Sequence, residues 1–276
     1  MRFLGQTVLV TGGSSGIGAA LGRAFALEGA RVVLAARSAD RLAGVVHEIE
    51  KGGGEALAVA CDVTSREQLD AAVAEAVERF GSLDMVVANA GFGVSGPFES
   101  LSTDDYRRQF ETNFFGVLDT IYAALPQVIA HQGRIAIVSS VYGKVGGPTT
   151  SAYCASKFAL VGLSESLYYE LADKGVSVTC INPGVVASNF RMVDNANRWH
   201  ADKADPMAWI AMDTDKAARQ TVRAIARRKA ELTITGHGKV AVFLHGHFPR
   251  TFRFLFRMVT KGRLEKMEEI RRGTST

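Results

Sequence analysis

Gln6-Thr7-Val8-Leu9-Val10-Thr11-Gly12-Gly13-Ser14-Ser15-Gly16-Ile17-Gly18 opens the chain with a β-rich run, a glycine cluster and the start of a helix. Thr7, Val8, Val10 and Thr11 are β-branched and suit an extended backbone. From Ile17 onward the apolar residues Ile17, Leu21, Ala24, Phe25 and Leu27 recur at helical spacing. A glycine cluster alone is also the mark of a tight turn; the strand before it and the helix after it favour a phosphate-binding turn. Glycine lets the main chain approach a pyrophosphate, and a helix N-terminus offers it free N–H groups. Gly12, Ser14, Ser15, Gly16, Ile17 and Gly18 are the candidate phosphate-binding residues.

Further strands are predicted near 31–36, 55–60, 84–88, 133–139, 176–182 and 231–235, and helical stretches alternate with them. That alternation argues a parallel sheet covered by helices on both faces. The fold class is α/β, a doubly wound Rossmann-type sheet of about seven strands. The chain has 276 residues, 47% of them hydrophobic, enough for one domain with an ample core. Residues 1–235 are read as the cofactor-binding body and 236–276 as a helical C-terminal extension. No internal repeat interrupts the pattern, and Gly52-Gly53-Gly54 reads as a connection between helix and strand.

The second strand, Arg31 to Ala36, ends where a fold that binds NAD usually carries an acid for the ribose 2′-hydroxyl. Here Ala36 and Arg37 follow, and the first acid is Asp40. Without a carboxylate nothing repels a 2′-phosphate, and the Arg37 guanidinium can pair with it. The cofactor expectation is therefore NADP(H) over NAD(H), with Arg37 discriminating and Ser14 and Ser38 assisting.

Tyr153-Cys154-Ala155-Ser156-Lys157 carries the chemistry, with Ser140 thirteen residues before the tyrosine. A tyrosine and a lysine four apart share a helical face. Free tyrosine titrates near pH ~10, too high for efficient proton exchange at neutral pH; a nearby ammonium favours the phenolate. A serine hydroxyl beside the pair can hold a substrate oxygen. Together they suit interconversion of a carbonyl and an alcohol.

The ordered stations TGGSSGIG (11–18), Asp62-Val63, Asn89-Ala90-Gly91, Asn113, Ser140, Tyr153/Lys157 and Pro183-Gly184 resemble the short-chain dehydrogenase/reductase family in its short, single-domain form. The resemblance covers about the first 190 residues. It implies that Tyr153 is the general acid in reduction, and that Lys157 holds the nicotinamide ribose and depresses the tyrosine pKa. Ser140 would bind the carbonyl oxygen, and Asn113 would hold a water of a proton relay. Asp62 would contact the adenine with Val63 beside it, and Asn89, Ala90 and Gly91 would shape the turn under the adenosine ribose. Pro183, Gly184, Val186 and Ser188 would flank the nicotinamide. Ser188 stands where the family more often has threonine, and keeps a hydroxyl. Ser139 rivals Ser140, but the spacing to the tyrosine favours Ser140. Asn113 bonding only to backbone, and Asp62 merely capping a helix near Ser65, are the bland alternatives. Relatives pair through two long helices, here about 102–130 and 152–173, implying a homodimer or homotetramer.

The family's substrate lid would fall at about 187–213, which holds Phe190, Met192, Trp199, Met207, Trp209, Ile210 and Met212. With Phe92, Val94, Val141 and Tyr142 extending an apolar pocket, these suit a hydrophobic substrate: a 3-keto lipid, steroid, retinoid or aromatic ketone. The same machinery would also serve an epimerase or dehydratase, or a protein that binds NADPH without turnover.

Cys61, Cys154 and Cys180 have no paired spacing, and the six histidines no metal-ligand pattern, so a reducing cytoplasm and no metal are expected. The first eleven residues are too short and uncharged for a secretory signal. Residues 1–215 hold 17 Lys/Arg and 24 Asp/Glu, a net of −7, whereas 216–276 hold 15 and 4, a net of +11. Beyond Pro249, read as the first turn of a helix, Arg250, Arg253, Arg257 and Lys261 share one face and Phe252, Leu255, Phe256 and Val259 the other. Such a helix either packs on the body or a neighbouring subunit, or contacts a membrane peripherally. No nucleic-acid reading motif accompanies it.

Overall fold

The computed structural model describes residues 1–188, 190, 195–196 and 207–260. Seven strands form one sheet in the order β3-β2-β1-β4-β5-β6-β7. They are β1 (Thr7–Thr11), β2 (Arg31–Ala36), β3 (Glu55–Ala60), β4 (Met85–Ala88), β5 (Arg134–Val138), β6 (Ser177–Asn182) and β7 (Glu231–Thr233). Every pairing is parallel. Each strand lies within two residues of the bounds expected from sequence.

Alternation along the strands builds two cores. Val8 and Val10 of β1, Val32 and Leu34 of β2, and Ala136 and Val138 of β5 face one side. Leu9, Val33, Ala35, Ile135 and Ile137 face the other, as the two-residue period of a strand demands. The first side is covered by α1 (Gly16–Leu27), α2 (Ala39–Lys51) and α7 (Thr214–Ala226), which contribute Leu21 and Phe25, Leu42 and Ile49, and Val222 and Ile225. The second is covered by α3 (Arg66–Phe80), α5 (Gly116–Ala130) and α6 (Ser151–Glu170), through Leu69, Ile121 and Leu160.

Two long helices differ from expectation. The stretch read as one helix over 102–130 is α4 (Thr103–Phe110), a π turn at Glu111–Phe115, and α5. Ser102 and Asp105 close a capping box at its start. The stretch read as 152–173 is α6 followed by a 3-10 turn, Ala172–Lys174, and Gly175 at φ +71° stops the chain turning further. Ser65, not Asp62, caps α3, its hydroxyl accepting from Gln68 N.

The extension begins with α8 (Gly236–His247), capped by Thr235, and continues as α9 over 249–260 with Pro249 in its first turn. Burial is uneven along the apolar side expected of α9. Phe252 and Phe256 are half-buried, stacked at 5.3 Å, and His245 of α8 meets Phe252 edge-on. Leu255 and Val259 are instead exposed. Lys261 lies outside the described residues. Among the described residues no helix is long and apolar enough to cross a membrane.

Candidate active site

The sheet order reverses direction between β1 and β4, so their C-terminal ends open a crevice suited to a ligand. Thr11 ties the two together. Its hydroxyl accepts from Asn89 N at 3.1 Å and Ala90 N at 3.2 Å, and Asn89 Nδ2 donates to Thr11 O at 2.8 Å. Helix α1 then starts with no spare room. Gly12 has φ +68°, and a Cβ there would lie 2.9 Å from Asn89 Nδ2. A Cβ on Gly18 would strike Gly12 O at 2.2 Å. Gly16, at φ +53°, faces Ser188, whose Cβ would lie 3.1 Å from an added Cβ.

The mouth of α1 suits an anion. Its N-cap Ser15 makes no side-chain cap bond, and no acid occupies its first turn. Ser38, the N-cap of α2, likewise makes no side-chain cap bond, whereas Ser65, Ser102 and Asp213 bond their own helices. Arg37, between β2 and that cap, is exposed, with no hydrogen bond or ion pair to the described residues. Asp62 Oδ1 accepts from Thr64 N at 3.0 Å and Thr64 Oγ1 at 2.9 Å. This turn fixes Asp62 and the buried Val63 at the end of β3.

Across the crevice, β5 and α6 bring the chemical residues together. Lys157 is 3% exposed; its ammonium donates to Val138 O at 2.8 Å and lies 5.7 Å from the centre of the Tyr153 ring. Burial away from water lowers the lysine from its usual value to about 8. Burial pushes the Cys180 thiol up to about 11, so it is neutral at physiological pH. Ser139 donates to Lys157 O at 2.9 Å and thereby anchors α6. Ser140 caps the short turn Val141–Gly143, accepting from Tyr142 N at 3.1 Å, with a long 3.4 Å donation to Pro183 O.

Asn113 sits fully buried in the π turn. Its Oδ1 accepts from Phe92 N and its Nδ2 donates to Phe92 O, both at 3.0 Å, and Nδ2 also reaches Ser156 Oγ at 3.3 Å. Its amide is thus not bonded to backbone alone. A Cβ on Gly91 would lie 3.0 Å from Asn113 Oδ1 and 3.7 Å from Lys157 Nζ, so Asn113, Gly91 and Lys157 are immediate neighbours.

The approach to Tyr153 is aromatic. Phe190 packs at 5.4 Å between ring centres and Tyr142 edge-on at 6.3 Å. Asn195 exchanges two 2.9 Å hydrogen bonds with the main chain of Ser95, fastening the expected lid to the loop after β4. Val186 bridges Met212. In the lid Trp209 is 83% exposed, and Phe92 and Val94, after β4, are buried in a small cluster with Ala152. Met192 and Trp199 lie outside the described residues.

Two residues escaped sequence reasoning. His237, in the first turn of α8, accepts from Val185 N at 3.1 Å through Nε2. Thr235 adopts φ +77°, rare for a β-branched residue, and bonds the same ring nitrogen at 3.1 Å. Gly184 packs against both, since a Cβ there would lie 2.2 Å from Thr235 Oγ1 and 2.9 Å from His237 Nε2. Their only signal was a hydroxyl residue three before a glycine, as at a helix N-cap.

The family model for short chain dehydrogenases matches residues 6–199. A ketoacyl reductase of a Nostoc species is 33% identical over 83% of this chain and 78% of its own. A 3-oxoacyl-(acyl-carrier-protein) reductase of Staphylococcus aureus is 34% identical over 84% and 94%. Among solved structures, an alcohol dehydrogenase of Thermococcus sibiricus complexed with 5-hydroxy-NADP is 28% identical, with a TM-score of 0.72 over 83% of this chain and 95% of its own. A dehydrogenase/reductase of Sinorhizobium meliloti is 31% identical, with a TM-score of 0.76 over 85% and 95%. With the parallel sheet, the glycine turn and Lys157 beside the Tyr153 ring in place, these matches make the chain a member of the short-chain dehydrogenase/reductase family, an oxidoreductase of CH–OH groups.

Proposed function

We propose that this protein reversibly reduces a ketone on a hydrophobic substrate with NADPH. The observation that carries the reading is the buried Lys157 ammonium beside the Tyr153 ring, under an aromatic approach formed by Phe190 and Tyr142. The glycine cradle, the acid-free mouth of α1 and Asp62 fit a dinucleotide, and Arg37 with Ser38 fits its 2′-phosphate. When bound, the nicotinamide supplies or accepts the hydride.

The remaining work falls to the chain. Ser140 turns its hydroxyl from the long bond to Pro183 and donates to the carbonyl oxygen. Tyr153 gives its phenolic proton to that oxygen as the carbonyl carbon gains the hydride, and is left as phenolate. The Lys157 charge stabilises the phenolate in a poorly hydrated setting. Asn113 spends its amide on Phe92, so a relay water at this point would be held by main chain in the π turn.

The similarity to ketoacyl reductases supports a 3-keto lipid among the candidate substrates. A homodimer or homotetramer through α5 and α6 is proposed on the exposed Phe115, Tyr122, Phe158 and Tyr169. NADPH consumption over ketones graded in size and hydrophobicity, with NADH in parallel, tests the reading. Turnover that rises with apolar bulk and prefers NADPH is expected; equal use of both cofactors, or turnover only of small polar ketones, would refute it.

A further inference from the structure

The C-terminal helices expose an apolar surface that the fold does not use. Among the described residues, Val259 is 80% exposed, Phe254 65%, Met258 62% and Leu255 53%. At helical spacing these four form one sector of α9. Arg250, Arg253 and Arg257 form the adjacent sector, and Phe252 with Phe256 turns inward toward α8. In α8, Phe243 is exposed as well, with Phe248 at the joint. From Gly236 to Thr260 there are four cations, Lys239 and the three arginines, and no carboxylate.

Charge selects the occupant. A symmetric contact between two copies would oppose this surface to itself, bringing together two extensions that each carry a net +6 over 236–276. The body over 1–235 carries a net of −2 and the extension over 236–276 a net of +6, so an anionic surface favours this end. Large apolar side chains beside arginines that make no ion pair among the described residues match a bilayer interface, with the side chains among acyl groups and the cations at headgroups. We propose that α8 and α9 dock the protein peripherally on a membrane containing anionic lipid.

The docked surface adjoins the catalytic loops. α8 starts against them: His237 holds Val185, and a Cβ on Gly238 would lie 2.7 Å from Val141, the neighbour of Ser140. If the proposed function is right, a lipophilic ketone dissolved in the bilayer meets the enzyme at this end.

Flotation of the full-length protein with phosphatidylcholine vesicles, with or without phosphatidylglycerol, tests the proposal at low and high salt. Binding is expected only with phosphatidylglycerol, and weaker at high salt. Replacing Arg250, Arg253 and Arg257 by Gln should weaken it on the order of a hundredfold. Phe254→Ser with Met258→Ser should weaken it at least about tenfold. Both variants should keep the wild-type melting temperature and NADPH affinity. Absence of binding, equal binding to neutral vesicles, or a protein oligomer that dissolves in the same variants would overturn the proposal. Vesicle binding is read without turnover, so a failed ketone assay does not bear on it.

Discussion

Lys157 is the residue whose environment does most to shape the chemistry. Its burial lowers its pKa to about 8, against an ordinary lysine value in the unfolded chain. The sign follows: below pH 8 both states carry the proton and the burial cost is fully present. Above it the unfolded chain binds more protons, so this residue's penalty fades as pH rises toward the ordinary lysine value. Function runs the other way, because the deprotonated amine supports neither the phenolate nor an anionic cofactor. NADPH affinity should therefore fall above pH 8, by up to about tenfold per unit, in fluorescence titrations. Lys157→Met should flatten that dependence; an unchanged slope would refute the assignment. Asn113 is held differently. Asn113→Ala leaves the N–H of Phe92 unpaired in the core, while Gln109 still bonds its C=O, and calorimetry should show a melting temperature lower by roughly 2–6 °C. His237→Ala should weaken NADPH binding several-fold, with His237→Gln recovering part through its amide oxygen.

At the scale of elements, the site is made by close approach of backbones. Gly18→Ala places a methyl 2.2 Å from a main-chain carbonyl, which cannot swing aside as a side chain can. The loss should appear as NADPH affinity lowered at least about tenfold, with the fold intact by circular dichroism. Much of this level was legible. Short β-rich, largely apolar runs marked the strands because each strand feeds two cores, and the Thr11–Gly18 turn could be read from residue type alone. The π turn was not. Glu111-Thr112-Asn113-Phe114-Phe115 suits an ordinary helix, and what widens the turn is the tertiary pairing of Asn113 with Phe92. The uneven burial along the apolar side of α9 was equally hidden, since periodicity gives a helix its faces and not its neighbours. His237 was given no role from sequence, because its bond to Val185 joins residues fifty-two apart.

For the whole molecule, an acidic catalytic body and a basic apolar end are separate surfaces with separate expectations. Exposed Tyr122 of α5 and Phe158 of α6 belong to the body. Tyr122→Arg with Phe158→Arg should reduce the assembled protein to monomers in sedimentation velocity, because like charges would meet across a symmetric interface. An unchanged sedimentation coefficient would move the assembly surface elsewhere.

The most direct measurement of the central claim concerns Tyr153→Phe. It keeps the ring that packs on Phe190 and Tyr142 and removes only the hydroxyl. Titration should show NADPH bound as in the wild type, while turnover of the best ketone falls by roughly 10²–10⁴-fold. Turnover within a few-fold of wild type would mean that the proton comes from elsewhere, and that the Ser140–Tyr153–Lys157 cluster is not the acid/base machinery of this enzyme.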